Sequence, residues 1–123
     1  MIYIYKAELI RVVDGDTVDL IIDLGFDTSR KERFRLYGVD APEMNTAEGK
    51  EAKAWLIGIL GPYGAIYVQT LQHNTKAKRD KYGRFLAVLY DELPTLIPVV
   101  RHIHSASINA KIITEGHAKE RYW

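Results

Sequence analysis

The feature that most limits the possible folds is RVVDGDTVDLIID, residues 11–23, where two aliphatic runs meet at Asp14-Gly15. Asp-Gly between hydrophobic runs is a strong hairpin signal, because the tight turns that match strand twist require positive φ. In the second run Val18, Leu20 and Ile22 alternate with Asp19 and Asp23, the period of a strand with one wet face. Residues 3–13 and 17–24 therefore read as a β-hairpin. Asp14 reads as a turn residue whose carboxylate bonds local backbone.

The rest of the chain adds strands to that hairpin. After a polar loop GFDTSRKE (25–32), RFRLYGV (33–39) reads as a third strand, with Phe34 and Leu36 on one face and Arg35 on the other. Ala52, Trp55, Leu56, Ile59 and Leu60 follow helical spacing, and Asn45 with Glu48 forms a capping pair before them. GPYG at 61–64 ends this helix. AIYVQTL (65–71) and RFLAVLY (84–90) read as further strands, joined by a basic, mobile loop QHNTKAKRDKYG. The two prolines of DELPTLIPVVRHIH favour an irregular connection, and a second helix is expected over 105–115, stopped by Gly116. Five short strands and two helices predict an α+β, β-rich fold: a five-stranded Greek-key barrel of the oligonucleotide-binding (OB) type with two packed helices.

The chain has 123 residues, a net charge of +1 and 47% hydrophobic residues, which fits a single domain over 1–123. Without cysteine, disulfides and thiolate metal sites are excluded. No apolar run reaches the roughly 20 residues a membrane span needs. The N-terminal residues lack the pattern of a signal peptide, so the cytoplasm is expected over secretion without the sequence fixing a location; separately, a monomer with no membrane partner is expected. The near-neutral charge leaves polyanion binding to a local patch such as Lys76, Lys78, Arg79 and Lys81.

Polar residues that do not fit the core pattern gather at three places: Asp14, Asp16 and Thr17; Arg35, Asp40 and Glu43; and Lys81, Tyr82 and Arg84. Carboxylates supply hard oxygen ligands and a base, and arginines supply planar forks for phosphate oxygens. Metal-assisted phosphodiester hydrolysis needs that set. Thr17 reads equally as a β-branched strand starter or as part of the site. His102 and His104 lie at strand spacing but lack the further ligands a zinc site requires, and DGDTVD lacks the glycine of an EF-hand loop.

DGDTV, RLYGVDAPE followed by a helix containing Gly and Ala, and DKYGR followed by LA resemble, in order and spacing, the staphylococcal (micrococcal) nuclease family. The resemblance runs from about residue 8 to 90 and resumes at INAKIITEGHAK. It implies that Asp16, Asp40 and the backbone carbonyl of Ala41 ligate Ca2+, that Glu43 activates water, and that Arg35 and Arg84 hold the scissile phosphate. It also implies that Lys81 and Tyr82 contact a terminal phosphate and that Tyr122 packs beside a base. The implied activity is calcium-dependent, sugar-nonspecific hydrolysis of DNA and RNA that leaves 3′-phosphates. The rival reading is a catalytically inactive OB-fold module that only binds nucleic acid. The segment 91–107 is longer than the corresponding turn of the secreted relatives.

Overall fold

The computed structural model describes residues 3–61, 65–73, 76–93 and 106–122. In chain order the elements are β1 (Tyr3–Asp14), β2 (Thr17–Asp23), β3 (Ser29–Leu36), β4 (Val39–Asp40), α1 (Ala47–Leu60), β5 (Ile66–Thr70), β6 (Gln72–His73), β7 (Lys76–Ala77), β8 (Phe85–Tyr90), α2 (Ile108–Thr114) and β9 (Lys119–Glu120). Five strands close a barrel in the order β1-β2-β3-β8-β5. All neighbours are antiparallel except β3 and β8, which run parallel with Arg35 opposite Leu86. The expected β-rich barrel with two helices is thus what forms.

The alternation read from the sequence is the alternation that fills the barrel. Val18, Leu20 and Ile22 point inward with Phe34, Leu36, Ile66, Val68, Ala87 and Leu89, and all are buried. Helix α1 adds Leu56 and Leu60 to this core, and α2 adds Ile108 and Ile112. Burying branched side chains from both sheet and helices is the main force holding the layers together.

Asn109 of α2 fastens the helix to the barrel although it is polar and fully buried. Its Oδ1 accepts the Leu89 N–H at 3.0 Å, and its Nδ2 donates to the carbonyls of Ala87 at 3.0 Å and Tyr37 at 2.9 Å. With donor and acceptor both satisfied, the amide escapes the penalty of an unbonded buried polar group.

Several local expectations are corrected. The third strand begins at Ser29 rather than at residue 33, because Ser29–Glu32 pair with Leu20–Asp23 through the backbone despite their polarity. It ends at Leu36, and Val39–Asp40 form a separate short pair with Lys119–Glu120. The cap of α1 is Thr46, not Asn45: Thr46 Oγ1 accepts the Gly49 N–H at 3.0 Å. The basic loop contains a small hairpin, with Gln72 opposite Ala77. Helix α2 starts at Ile108 with Ser107 as its cap. Most of the proline-containing connection, with His102 and His104, lies outside the described residues.

Candidate active site

The β1–β2 turn brings the first carboxylate into place. Asp14 Oδ1 accepts the Asp16 N–H at 3.0 Å, as a turn aspartate should, and the Asp16 carbonyl accepts the Leu36 N–H at 2.8 Å. Asp16 is therefore fixed between the turn and the end of β3. Its side chain is buried and has three donors: Thr17 Oγ1 at 3.0 Å, the Ala41 N–H at 3.0 Å and Arg35 Nη2 at 3.4 Å.

Arg35 leaves the barrel wall on the face opposite Phe34 and Leu36, as strand geometry demands. Its Nη2 donates to the Val39 carbonyl at 3.3 Å and lies 3.9 Å from Asp40 Oδ1. One guanidinium thus sits between the carboxylates of Asp16 and Asp40. Asp40 is also approached by Arg121 at 3.8 Å, just beyond the β4–β9 pair. Burial and the neighbouring Asp14 carboxylate push the Asp16 carboxyl up to about 6, although the Ala41 N–H and the Arg35 charge pull the other way.

Glu43 is exposed on the loop into α1, and its carbonyl accepts both the Thr46 N–H at 3.0 Å and Thr46 Oγ1 at 2.6 Å. This loop lies directly on the helix. A β-carbon at Gly49 would meet the carbonyls of Glu43 and Pro42, and one at Gly15 would come within 2.8 Å of the Ala41 and Ala52 β-carbons. Both glycines therefore allow a close approach that no side chain permits.

The basic wall is the turn before β8, the strand beside β3. The Asp80 side chain is only 2% exposed and accepts the N–H groups of Tyr82 and Arg84, each at 2.9 Å, and Arg84 Nε at 2.6 Å. Burial opposes ionisation of Asp80, but these donors together with the Arg84 charge hold it below the usual carboxylate range. Arg84 Nη1 then reaches Thr17 Oγ1 at 3.4 Å. Thr17 thus links Asp16 to Arg84 as well as starting β2.

Asp14, Asp16, Arg35, Asp40, Ala41, Glu43, Lys81, Tyr82 and Arg84 line one open cleft of about 460 Å³. Of the residues to which the family resemblance gives a role, Tyr122 alone is missing from that lining. Its ring packs on Tyr37 at 5.0 Å between centroids and against Gly38, while its hydroxyl donates to Glu120 Oε2 at 2.9 Å. Asp80 and Gly49 do not stand out in the sequence. An aspartate two and four residues before backbone donors is a turn signal that points to Asp80, whereas nothing in the chain order marks Gly49 as touching Glu43.

The chain matches the family described as staphylococcal nuclease homologue over residues 33–123. It belongs to the staphylococcal nuclease family. Members similar to it include the micrococcal nuclease of Shigella flexneri, 32% identical over 114 residues that cover 93% of this chain and 57% of that protein. Protein ParB of Escherichia coli is 30% identical over 106 residues, covering 85% and 53% respectively. A probable staphylococcal-like nuclease of Oryza sativa subsp. japonica is 35% identical over 63 residues, covering 50% and 15%. The chain spans about half the length of the first two relatives.

Nuclease relatives raise the question of a metal ion. Among the described residues, no three His, Cys, Asp or Glu side chains are grouped to hold one unaided. The chemistry of the donor set nevertheless suits a hard cation, since the carboxylates of Asp16 and Asp40 lie on either side of one guanidinium and line the cleft together with Ala41. Carboxylate and carbonyl oxygens suit calcium or magnesium rather than a soft metal.

Proposed function

We propose that this chain is a metal-dependent nuclease that hydrolyses phosphodiester bonds of DNA and RNA without regard to the sugar. The observation that carries the reading is the gathering of Asp16, Asp40 and Glu43, two anchored arginines and Lys81 around one cleft. Asp16, Asp40 and the Ala41 carbonyl would hold a calcium ion, which when bound supplies Lewis-acid charge for a phosphate oxygen.

The chain's own residues account for the remaining steps. Arg35 on β3 and Arg84 just before the neighbouring β8 present guanidinium N–H groups to the same cleft, so equatorial charge that grows on the phosphoryl oxygens as water attacks is met by fixed donors. These donors are aimed in advance by Asp16 and Asp80. Glu43, exposed at the edge of the cleft, takes the proton of the attacking water. The bond between phosphorus and the 5′ oxygen breaks, that oxygen takes a proton from solvent water, and a 3′-phosphate is left. Lys81 and Tyr82, on the basic wall, contact a neighbouring phosphate. Hydroxide makes the same attack more easily, so cleavage is expected to rise above neutral pH.

The test is cleavage of labelled single-stranded and duplex DNA, and of RNA, with calcium, with magnesium and with chelator. Parent protein should cut with calcium and stop on chelation. Glu43→Gln should keep the fold by circular dichroism and lose about 10²–10⁴-fold in rate. A folded parent that cuts under none of these conditions, yet binds DNA in a salt-sensitive way, would identify the chain as a binding module instead.

A further inference from the structure

The barrel has a second opening. The start of β1, the end of β2, the starts of β3 and β8 and the end of β5 converge on a cavity of about 230 Å³ to which neither helix contributes. Deeper inward-facing residues of these strands, such as Ala7, Val68 and Ala87, are buried, but here Tyr3 is 37% and Leu24 43% exposed. Apolar surface is left wet at this end of the barrel.

Four aromatic rings line the cavity, with Ile22 and Leu24 beside them and Glu32, Thr70 and Gln72 as its polar members besides Arg30. Tyr3 and Tyr5 lie nearly parallel, 6.1 Å between centroids and 4° between planes. Phe34 and Phe85 form the facing side at 6.0 Å. Two guanidiniums flank the Phe85 ring, Arg79 at 4.1 Å and Arg30 at 5.7 Å, and Arg30 is held in place by Glu32 at 2.7 Å. Flat π-faces with cations at the rim suit a flat ring system that carries a negative charge beside it. The volume falls below the roughly 300 Å³ at which sites for whole small molecules begin. It therefore suits one ring of a longer molecule.

Chain continuity names the molecule. Phe85 follows Arg84, and Arg79 bridges to Phe85 across the turn whose Lys81, Tyr82 and Arg84 line the cleft. Lys76 and Lys78 flank Ala77, which lines the mouth. The stretch of chain that joins the mouth to the cleft is thus rich in cations, with Lys76, Lys78, Arg79, Lys81 and Arg84, a charge that suits a polyanion. We propose that the barrel mouth formed by Tyr3, Tyr5 and Phe85, with Arg30 and Arg79 at its rim, is a subsite for an unpaired base of a nucleic-acid strand whose scissile phosphate lies in the cleft. This rests on the nuclease reading, and it deepens it: a base can enter the mouth only from a single strand.

The experiment compares a labelled trinucleotide with a labelled single-stranded 12-mer, by fluorescence anisotropy in chelator so that neither is cut. Parent, Tyr3→Ala, Arg30→Gln and, as a charge control on exposed α1 surface, Lys50→Gln are measured. Tyr3→Ala and Arg30→Gln should weaken 12-mer binding about 5-fold or more, leave trinucleotide binding unchanged, and leave calcium-dependent cutting of the trinucleotide at the parent rate. Lys50→Gln should change neither. Parent that cuts, with 12-mer affinity unmoved by both variants or trinucleotide affinity moved equally, overturns the subsite and leaves the nuclease reading standing. Parent that neither binds nor cuts any oligonucleotide overturns both.

Discussion

The acidic wall of the cleft depends on contacts between distant parts of the chain, whereas the basic wall is held by a turn folded on itself. Asp16 is bonded to Ala41 and Arg35, and Asp40 lies on a strand paired with Lys119. Arg84 is instead oriented by Asp80, four residues before it. The difference teaches that the two arginines, similar in chemistry, are not similar in what they support. Arg35 ties together Asp16, the Val39 carbonyl and Asp40, while loss of the Arg84 side chain leaves Asp80 its two backbone donors.

The largest effect that separates the walls should come from replacing each arginine. Arg84→Ala and Arg35→Ala should each cost about 10²–10³-fold in single-turnover cleavage, the usual loss for a donor to a developing charge. Arg35→Ala should also lower stability in urea by about 1–3 kcal/mol, and by clearly more than Arg84→Ala, because buried Asp16 and the Val39 carbonyl both lose a donor. Equal stability losses in the two variants would erase the distinction.

A smaller rate effect should follow from Gly49→Ala. The added carbon would push the Glu43 and Pro42 carbonyls off the helix, and displacing a reacting group by about 1 Å costs up to about 10²-fold. Calcium affinity, followed by calorimetry, should change far less than the rate. If rate and affinity fall together, the helix supports the whole acidic wall rather than Glu43.

On the basic wall, Asp80→Asn should lower the rate about 10-fold or less while calcium affinity stays at the parent value. Smallest of all is the acid response. Asp80 titrates below its unfolded value, so the stability it gives is whole above about pH 4 and is lost as pH falls through the lower folded value. Thermal melts from pH 7 to pH 2.5 should therefore show less acid sensitivity in Asp80→Asn than in the parent.

Much of this arrangement is legible in the chain because it is local and periodic. The hairpin follows from its dipeptide, although the two loop residues are Gly15 and Asp16, with Asp14 opposite Thr17 and no positive φ among them; the inward set Val18, Leu20 and Ile22 and the outward Arg35 follow from period-two alternation. Ser29–Glu32 escape because Arg30 and Glu32 face the open mouth of the barrel, so a true strand carries no apolar alternation there. The pairing of Val39–Asp40 with Lys119–Glu120 is invisible because two residues carry no period. The cap falls on Thr46 rather than Asn45 because both types cap helices, and only the fold supplies the Glu43 carbonyl that holds Thr46. Close approaches at Gly15 and Gly49 are properties of surfaces that meet, which a linear reading does not contain.

Asn109 carries a consequence for the order of assembly. Its side chain joins Ala87 and Leu89 to Tyr37, 72 residues earlier in the chain, and the same C-terminal region supplies β9, the partner of the strand that bears Asp40. During synthesis, then, the pairings that place Asp16, Arg35 and Arg84 are all encoded by the time β8 has emerged, while Asp40 still waits for its strand partner. The Asp40 carboxylate should therefore reach Arg35 last, once α2 has docked and β9 has paired.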